Sequence, residues 1–259
     1  MNSSTESMRW ETKVFIFLMI SSCLFTTGIC AWFSSSFYLS YKTAKAIREE
    51  LPPITNYNEL IEDCPGIPKS WELVNENTFA NNLNLWPLGS NDDAYDSTHL
   101  KMENGILQYD VSAKTGVYST QFPGLDKSLK DFYLTAEVRK LSGAGDAQYG
   151  IVFRVLGERQ MFFSIRDSGS TRVAVRDIDG EWLDPLFSGY SQYVKSHESN
   201  QLVVIAKGDT YIFCINQYII GTVETTRFMS GKFGIGVELN AGDKAVIEFD
   251  NFNTYAPEE

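Results

Sequence analysis

The chain has 259 residues, of which 43% are hydrophobic and 14% aromatic, and 33 acidic side chains outnumber 22 basic ones for a formal net charge of −11. That content is enough for a sizeable core and excludes wholesale disorder. No stripe of clustered Lys and Arg exists to neutralise phosphates, which argues against nucleic acid as a partner.

The first element along the chain is apolar. "KVFIFLMISSCLFTTGICAWFSSSFYLSYK" carries no charge from Val14 through Tyr41, and its apolar heart runs from Val14 to Phe33. A helix of about twenty residues, rising about 1.5 Å per residue, crosses a hydrocarbon layer of roughly 30 Å. The expectation is therefore a single transmembrane helix over 14–37 behind a short tail, 1–13. A cleaved secretory signal and a lipoprotein with Cys23 of "ISSC" as the lipidated residue are the competing readings. The run is long for a signal and lacks a clean small-x-small site, and "LFTTGICAWF" follows Cys23 where a polar tether would be needed. An uncleaved anchor fits best. Arg9 and Lys13 before the span are offset by Glu6 and Glu11, whereas Lys42, Lys45 and Arg48 follow it. By charge alone this leans toward a cytoplasmic C-terminal side.

Residues 38–70 read as a stalk. "YKTAKAIREEL" prolongs the helix, and Pro52, Pro53, Pro65 and Pro68 then break it. Cys23 and Cys30 lie within the span. Cys64 in the stalk and Cys214 in an expected strand can pair only if the domain is exported into an oxidising compartment. His99 and His197 are the only histidines, and no Cys/His spacing suggests zinc.

Beyond Trp71 the texture changes to short runs of β-branched and aromatic residues. Strands are expected at 105–111, 116–122, 132–140, 147–155, 160–166, 171–177, 200–207, 210–216, 218–223, 231–239 and 244–252. Gly in "VLGERQM", "RDSGSTR" and "AKGDTY" marks the hairpin turns. Spacing near ten residues with turn signals between is the pattern of an all-β, antiparallel two-sheet sandwich.

The order "DAQYGIVFR", "MFFSIRDSGSTRVAVRDIDGEW", "NQLVVIAKGDTYIFCIN", "SGKFGIGVE" and "FDNF" resembles the concanavalin A-like, laminin G-like jelly-roll domains over roughly 71–255. Within that superfold it is most similar to the bacterial group beside family 16 glycoside hydrolases and 3-keto-disaccharide hydrolase-like domains. The resemblance implies a jelly roll, and an extracytoplasmic position that runs against the charge lean noted above. It does not fix an activity, because this superfold hosts lectins, hydrolases and adhesion modules.

Retaining glycosidases need two carboxylates about 5–5.5 Å apart. The resemblance implies Glu-x-Asp-x-x-Glu on one strand, and the nearest match is "EFDNFN", with Glu248, Asp250 and then Asn253. Asparagine can serve neither as acid nor as nucleophile, so no catalytic residue is expected. The resemblance also implies a structural calcium ion between first and last strands. Asp250 is the candidate ligand, with Asp92, Asp93 and Asp96 of "SNDDAYD" as further hard donors. A plain acidic loop is the alternative.

Alternation places Phe132, Leu134, Ala136 and Val138 on one face of their strand and Tyr133, Thr135, Glu137 and Arg139 on the other. If the following strands are neighbours, Glu137, Arg139, Gln148, Arg154, Phe162, Ser164 and Arg166 share one polar face, with Trp182, Tyr190 and Tyr193 at its rim. Aromatic rings stack on sugars and planar polar groups bind hydroxyls. Glu137, Gln148, Arg154, Phe162, Arg166 and Trp182 are thus the candidate ligand-binding residues. The bland alternative makes this the wet side of a sheet, with Arg154–Glu137 a cross-strand ion pair and Trp182 a cap on the core. The resulting expectation is a membrane-anchored, extracytoplasmic, non-catalytic recognition module for a carbohydrate or cell-envelope ligand. A sugar-cleaving enzyme and a protein-binding adhesion domain are the alternatives.

Overall fold

The structure, a computed structural model, describes residues 63–124 and 127–258. The helix expected over 14–37 lies outside the described residues, as do the tail and most of the stalk. Among the described residues no helix is long and apolar enough to cross a membrane.

The described chain forms fifteen strands. They are β1 (Trp71–Asn75), β2 (Gly89–Asp92), β3 (Asp96–Glu103), β4 (Ile106–Ala113), β5 (Val117–Gln121), β6 (Phe132–Gly143), β7 (Gln148–Leu156) and β8 (Arg159–Ile165). There follow β9 (Ser170–Arg176), β10 (Trp182–Tyr190), β11 (Asn200–Lys207), β12 (Thr210–Ile215), β13 (Tyr218–Glu224), β14 (Lys232–Leu239) and β15 (Lys244–Pro257). Each expected strand is present within a few residues. Four were not anticipated: β1, β2, β3 and β10 are polar, short or irregular, and carry weak alternation.

Two antiparallel sheets stack face to face. One has the order β13-β12-β11-β6-β15-β4-β3-β2, with β1 added along the far end of β15, and the other runs β10-β9-β8-β7-β14-β5. Period-two patterning builds the core between them. Leu134, Ala136 and Val138 of β6 and Leu202 and Val204 of β11 meet Ile151 and Phe153 of β7, Phe163 of β8 and Ile235 of β14, all nearly or wholly buried. Gly157, Gly169 and Gly208 adopt φ of 63°, 93° and 62° in the three expected turns, a conformation that costs glycine least.

The single face expected to unite Glu137 with Gln148, Arg154, Phe162 and Arg166 does not form. Both sides of β6 are taken, by β11 and β15, so the short Ala144–Ala147 connection crosses from one sheet to the other. Glu137 therefore faces outward from the nine-stranded sheet, while the remaining residues belong to the six-stranded one. Strands adjacent in sequence are not adjacent in the sheet here.

Arg154 departs further. A bulge interrupts β7 against both neighbours, and Arg154 takes φ 58° within it. The extra residue reverses the alternation, so Val155 lies on the outer face and Arg154 points between the sheets, fully buried. Its Nε donates to Tyr211 Oη at 2.8 Å and its Nη1 to the carbonyls of Leu129 and Met229 at 2.7 and 2.9 Å. The guanidinium lies 4.8 Å from the Phe132 ring centroid. It forms no ion pair with Glu137.

The segment entering the domain is fastened to the outer face of the nine-stranded sheet. Cys64 and Cys214 are joined by a disulfide with their Cα atoms 5.9 Å apart. The Cys64 N–H donates to the Gln217 carbonyl at 2.6 Å, and Cys64 and Trp71 pack against the cluster of Tyr133, Val203 and Ile205.

Candidate functional site

The outer face of the six-stranded sheet can be read row by row from the register. Tyr118, Glu238 and Gln148 lie abreast on β5, β14 and β7. Thr120, Gly236, Gly150, Ser164 and Arg172 make the next row across β5, β14, β7, β8 and β9. Gly234, Val152, Phe162 and Ala174 make the third.

Val152, Phe162 and Ala174 form an apolar floor with Tyr118 and Phe122 packed on it. Gly236 is needed here because a Cβ would sit 2.9 Å from Val152, 3.0 Å from Phe162 and 3.2 Å from Tyr118. Its bare backbone lets both rings settle over the sheet. Tyr118 and Trp182 project from β5 and β10, opposite edges of the sheet, yet their ring centroids are 4.9 Å apart. A flat six-stranded sheet would separate those edges by roughly 24 Å at the usual strand spacing. The sheet is therefore strongly curled, and its outer face is a trough over which the two rings meet. Tyr118 also lies 4.9 Å from Phe162. Trp182 remains 44% exposed.

Beside this aromatic group lies a polar network. Gln148 donates to Glu238 at 3.4 Å and accepts from the Ser164 hydroxyl at 3.2 Å, and Arg172 pairs with the other oxygen of Glu238. The Tyr118 hydroxyl is buried with no hydrogen-bond partner. Burial, and secondarily the nearby Glu238 carboxylate, hold its pKa well above the ordinary phenol value, so it stays a neutral donor in search of an acceptor. Arg166 follows the last residue of β8, Ile165, which pairs with Tyr149 next to Gln148. Phe162, Gln148 and Ser164 are buried in the floor, so what the trough presents to solvent is the Trp182 ring beside half-buried Tyr118, Arg172 and Glu238.

Of the six ligand-binding candidates, Gln148, Phe162 and Trp182 come together in the trough, with Arg166 at its end. Glu137 and Arg154 do not join them. Tyr118, Arg172 and Glu238 were missed. Their signal was "GKFGIGVEL", in which glycines at alternate outward positions, ending on Glu238, mark a floor kept clear for side chains from neighbouring strands.

Glu137 pairs in register with Asp250 of β15 on the other sheet. The Asp250 carboxylate accepts the Asn251 N–H at 2.7 Å, and Glu137 accepts from Ser199 and Asn251 side chains at 3.3 and 3.2 Å. Glu248 pairs with Arg139, whose Nε lies 2.9 Å away. Burial pushes the Asp250 carboxyl up from its ordinary value, and the Glu137 and Glu248 carboxylates add to this. Asp93 caps the Tyr95 and Asp96 N–H groups at 2.7 and 3.0 Å, while Asp92 is engaged by Lys114 and Ser97. Calcium requires six to eight converging oxygens. These acids are spent on local partners and do not fit one. Among the described residues no group of three or more His, Cys, Asp or Glu could hold a metal ion.

Curled sheets of this order define a concanavalin A-like jelly-roll sandwich. The sequence matches no protein-family model and no curated protein. Among solved structures, the fold is similar to SCLam, a non-specific endo-β-1,3(4)-glucanase from family GH16, at TM-score 0.54 and 11% identity over 76% of this chain and 95% of that one. A Bacillus licheniformis β-glucanase is similar at TM-score 0.53 and 10% identity, covering 71% and 97%. The catalytic domain of a Thermotoga petrophila endo-1,3-β-glucanase is similar at 0.52 and 11%, covering 73% and 99%. At such identities the likeness establishes the fold and leaves the activity open.

Proposed function

We propose that this protein is a membrane-tethered, extracytoplasmic module that recognises glycans without cleaving them. The observation that carries the reading is the trough itself, where the exposed Trp182 ring and half-buried Tyr118 stand beside the half-buried Glu238 and Arg172 side chains, over a buried floor of Phe162, Gln148 and Ser164. Rings of this kind stack on the apolar faces of pyranoses, and paired amide, carboxylate and guanidinium groups bind vicinal hydroxyls. A binding role is supported by Glu238, the acid at the centre of the network, being held by Arg172 and Gln148 rather than free for proton transfer. The fold neighbours are glucanases by their own descriptions, so a sugar ligand suits this sandwich. The Cys64–Cys214 disulfide supports export, since such bonds persist in oxidising compartments. Tethering is supported by the uncharged run beginning at Val14.

The test is a glycan array probed with the full-length protein in a detergent lacking a sugar headgroup. At least one glycan family should bind, and Trp182→Ala should weaken it tenfold or more while leaving the thermal transition unchanged. A folded protein that binds no glycan on the array, or binding indifferent to Trp182→Ala, would refute the trough as a sugar site.

A further inference from the structure

The nine-stranded sheet carries a second concavity on its outer face, remote from the trough, with a volume of about 660 Å³ and Glu137, Tyr193, Lys195, Gln201, Gln217 and Tyr218 among its walls. That volume lies within the roughly 300–1,000 Å³ of small-ligand sites. Three features distinguish it from a solvated dip.

The first is that its walls are pre-set. Fully buried Asn200 accepts the Lys195 N–H at 2.7 Å and donates to the carbonyls of Lys195 and Glu198 at 2.8 and 3.0 Å. Asn216 donates to the Tyr193 carbonyl at 2.7 Å and to Asn200 at 2.9 Å, and it accepts the Gln201 N–H at 2.9 Å. The loop after β10 is thereby tied to the β12–β13 hairpin, which the Cys64–Cys214 bond fastens in turn.

The second is unspent polar capacity. Among the described residues the side chains of Gln192, Lys195, Gln201 and Gln217 have no partner, and all four face this space. The Tyr193 and Tyr218 rings are stacked beside them, 4.0 Å apart and 17° from parallel.

The third is strain at the wall. Asn216 and Gln217 form the two-residue turn between β12 and β13 with φ of 48° and 74°. Left-handed geometry at both positions is the hairpin pattern that favours Asn followed by Gly. Glutamine in the glycine position costs free energy and delivers an amide to the concavity. Strain kept where an alternative residue would relieve it points to use of the side chain.

We infer that this concavity is a second ligand site, taking a short, largely uncharged oligosaccharide. The three glutamine amides address adjacent hydroxyls, and the Tyr193–Tyr218 pair offers a ring face for stacking. The site shares no residue with the trough, so it stands or falls independently, and the domain would engage glycans from two faces.

The experiment is calorimetric titration of the full-length protein, again without sugar detergents, with cellotriose, laminaritriose, chitotriose and maltotriose. At least one trisaccharide should bind with an affinity that falls tenfold or more in Gln201→Ala. The same affinity should fall in Gln217→Gly, whose thermal transition should rise because the turn is relaxed. Trp182→Ala should leave it within twofold. If no trisaccharide binds, or if binding is unmoved by Gln201→Ala and Gln217→Gly, the second site is refuted. Binding that responds to Trp182→Ala alone also refutes it while supporting the trough.

Discussion

Breaking the Cys64–Cys214 bond should destabilise the domain substantially, because the two cysteines are 150 residues apart. Closing a loop of that length in the unfolded chain removes conformational entropy worth about 5 kcal/mol in the chain-entropy treatment, and measured bonds more often contribute about 2–4 kcal/mol. For a domain of this size each kcal/mol moves the thermal midpoint by about 2–4 °C. A drop of about 4–16 °C is therefore expected on reduction, and a comparable drop in Cys64→Ser/Cys214→Ala without reductant. The measurement is thermal unfolding by circular dichroism, paired with thiol titration of the denatured, unreduced chain. Of the four cysteines in the sequence, only Cys23 and Cys30 should then react. If all four react, or if reduction shifts the midpoint by less than ~2 °C, the bond is not the staple inferred here, and the support it lends to export goes with it.

Two further outcomes concern charged groups. Arg154→Met should lower stability by about 2–5 kcal/mol in denaturant titrations, since the Leu129 and Met229 carbonyls lose their donor inside the sandwich. Arg154→Lys should restore only part of this, because an ammonium cannot span the fork that reaches both carbonyls and Tyr211; a loss below ~1 kcal/mol would contradict the bonding described. Asp250 has a folded-state pKa above its ordinary 3.8, so the folded chain holds that proton more tightly and stability falls as pH rises through the interval just above 3.8. Asp250→Asn, which keeps an acceptor for the Asn251 N–H, should raise the denaturation midpoint at pH 7 and change it little at pH 3. A lowered midpoint at pH 7 would show that the Asp250 carboxylate is stabilised instead.

The sequence alone was enough to place eleven strands and their sandwich architecture. Period-two alternation is a local property, and Gly157, Gly169 and Gly208 announce their turns without help from the rest of the chain. The same alternation correctly turned Glu137 outward from β6 and Phe162 to the opposite face of β8 from Phe163. Short, polar strands such as β2 escaped because their side chains remain exposed and impose no hydrophobic period. Which strands share a sheet was decided only in three dimensions, where β11 and β15 claim both sides of β6 and separate Glu137 from Gln148. One bulge residue was sufficient to turn Arg154 from the surface into the core, and no composition signal marks it. Sheet curl then brought Tyr118 and Trp182 together from opposite edges, and a bond across 150 residues tied Cys64 to Cys214. Local patterning reports which face a side chain chooses, whereas partnership between distant segments depends on how whole sheets twist, curl and stack.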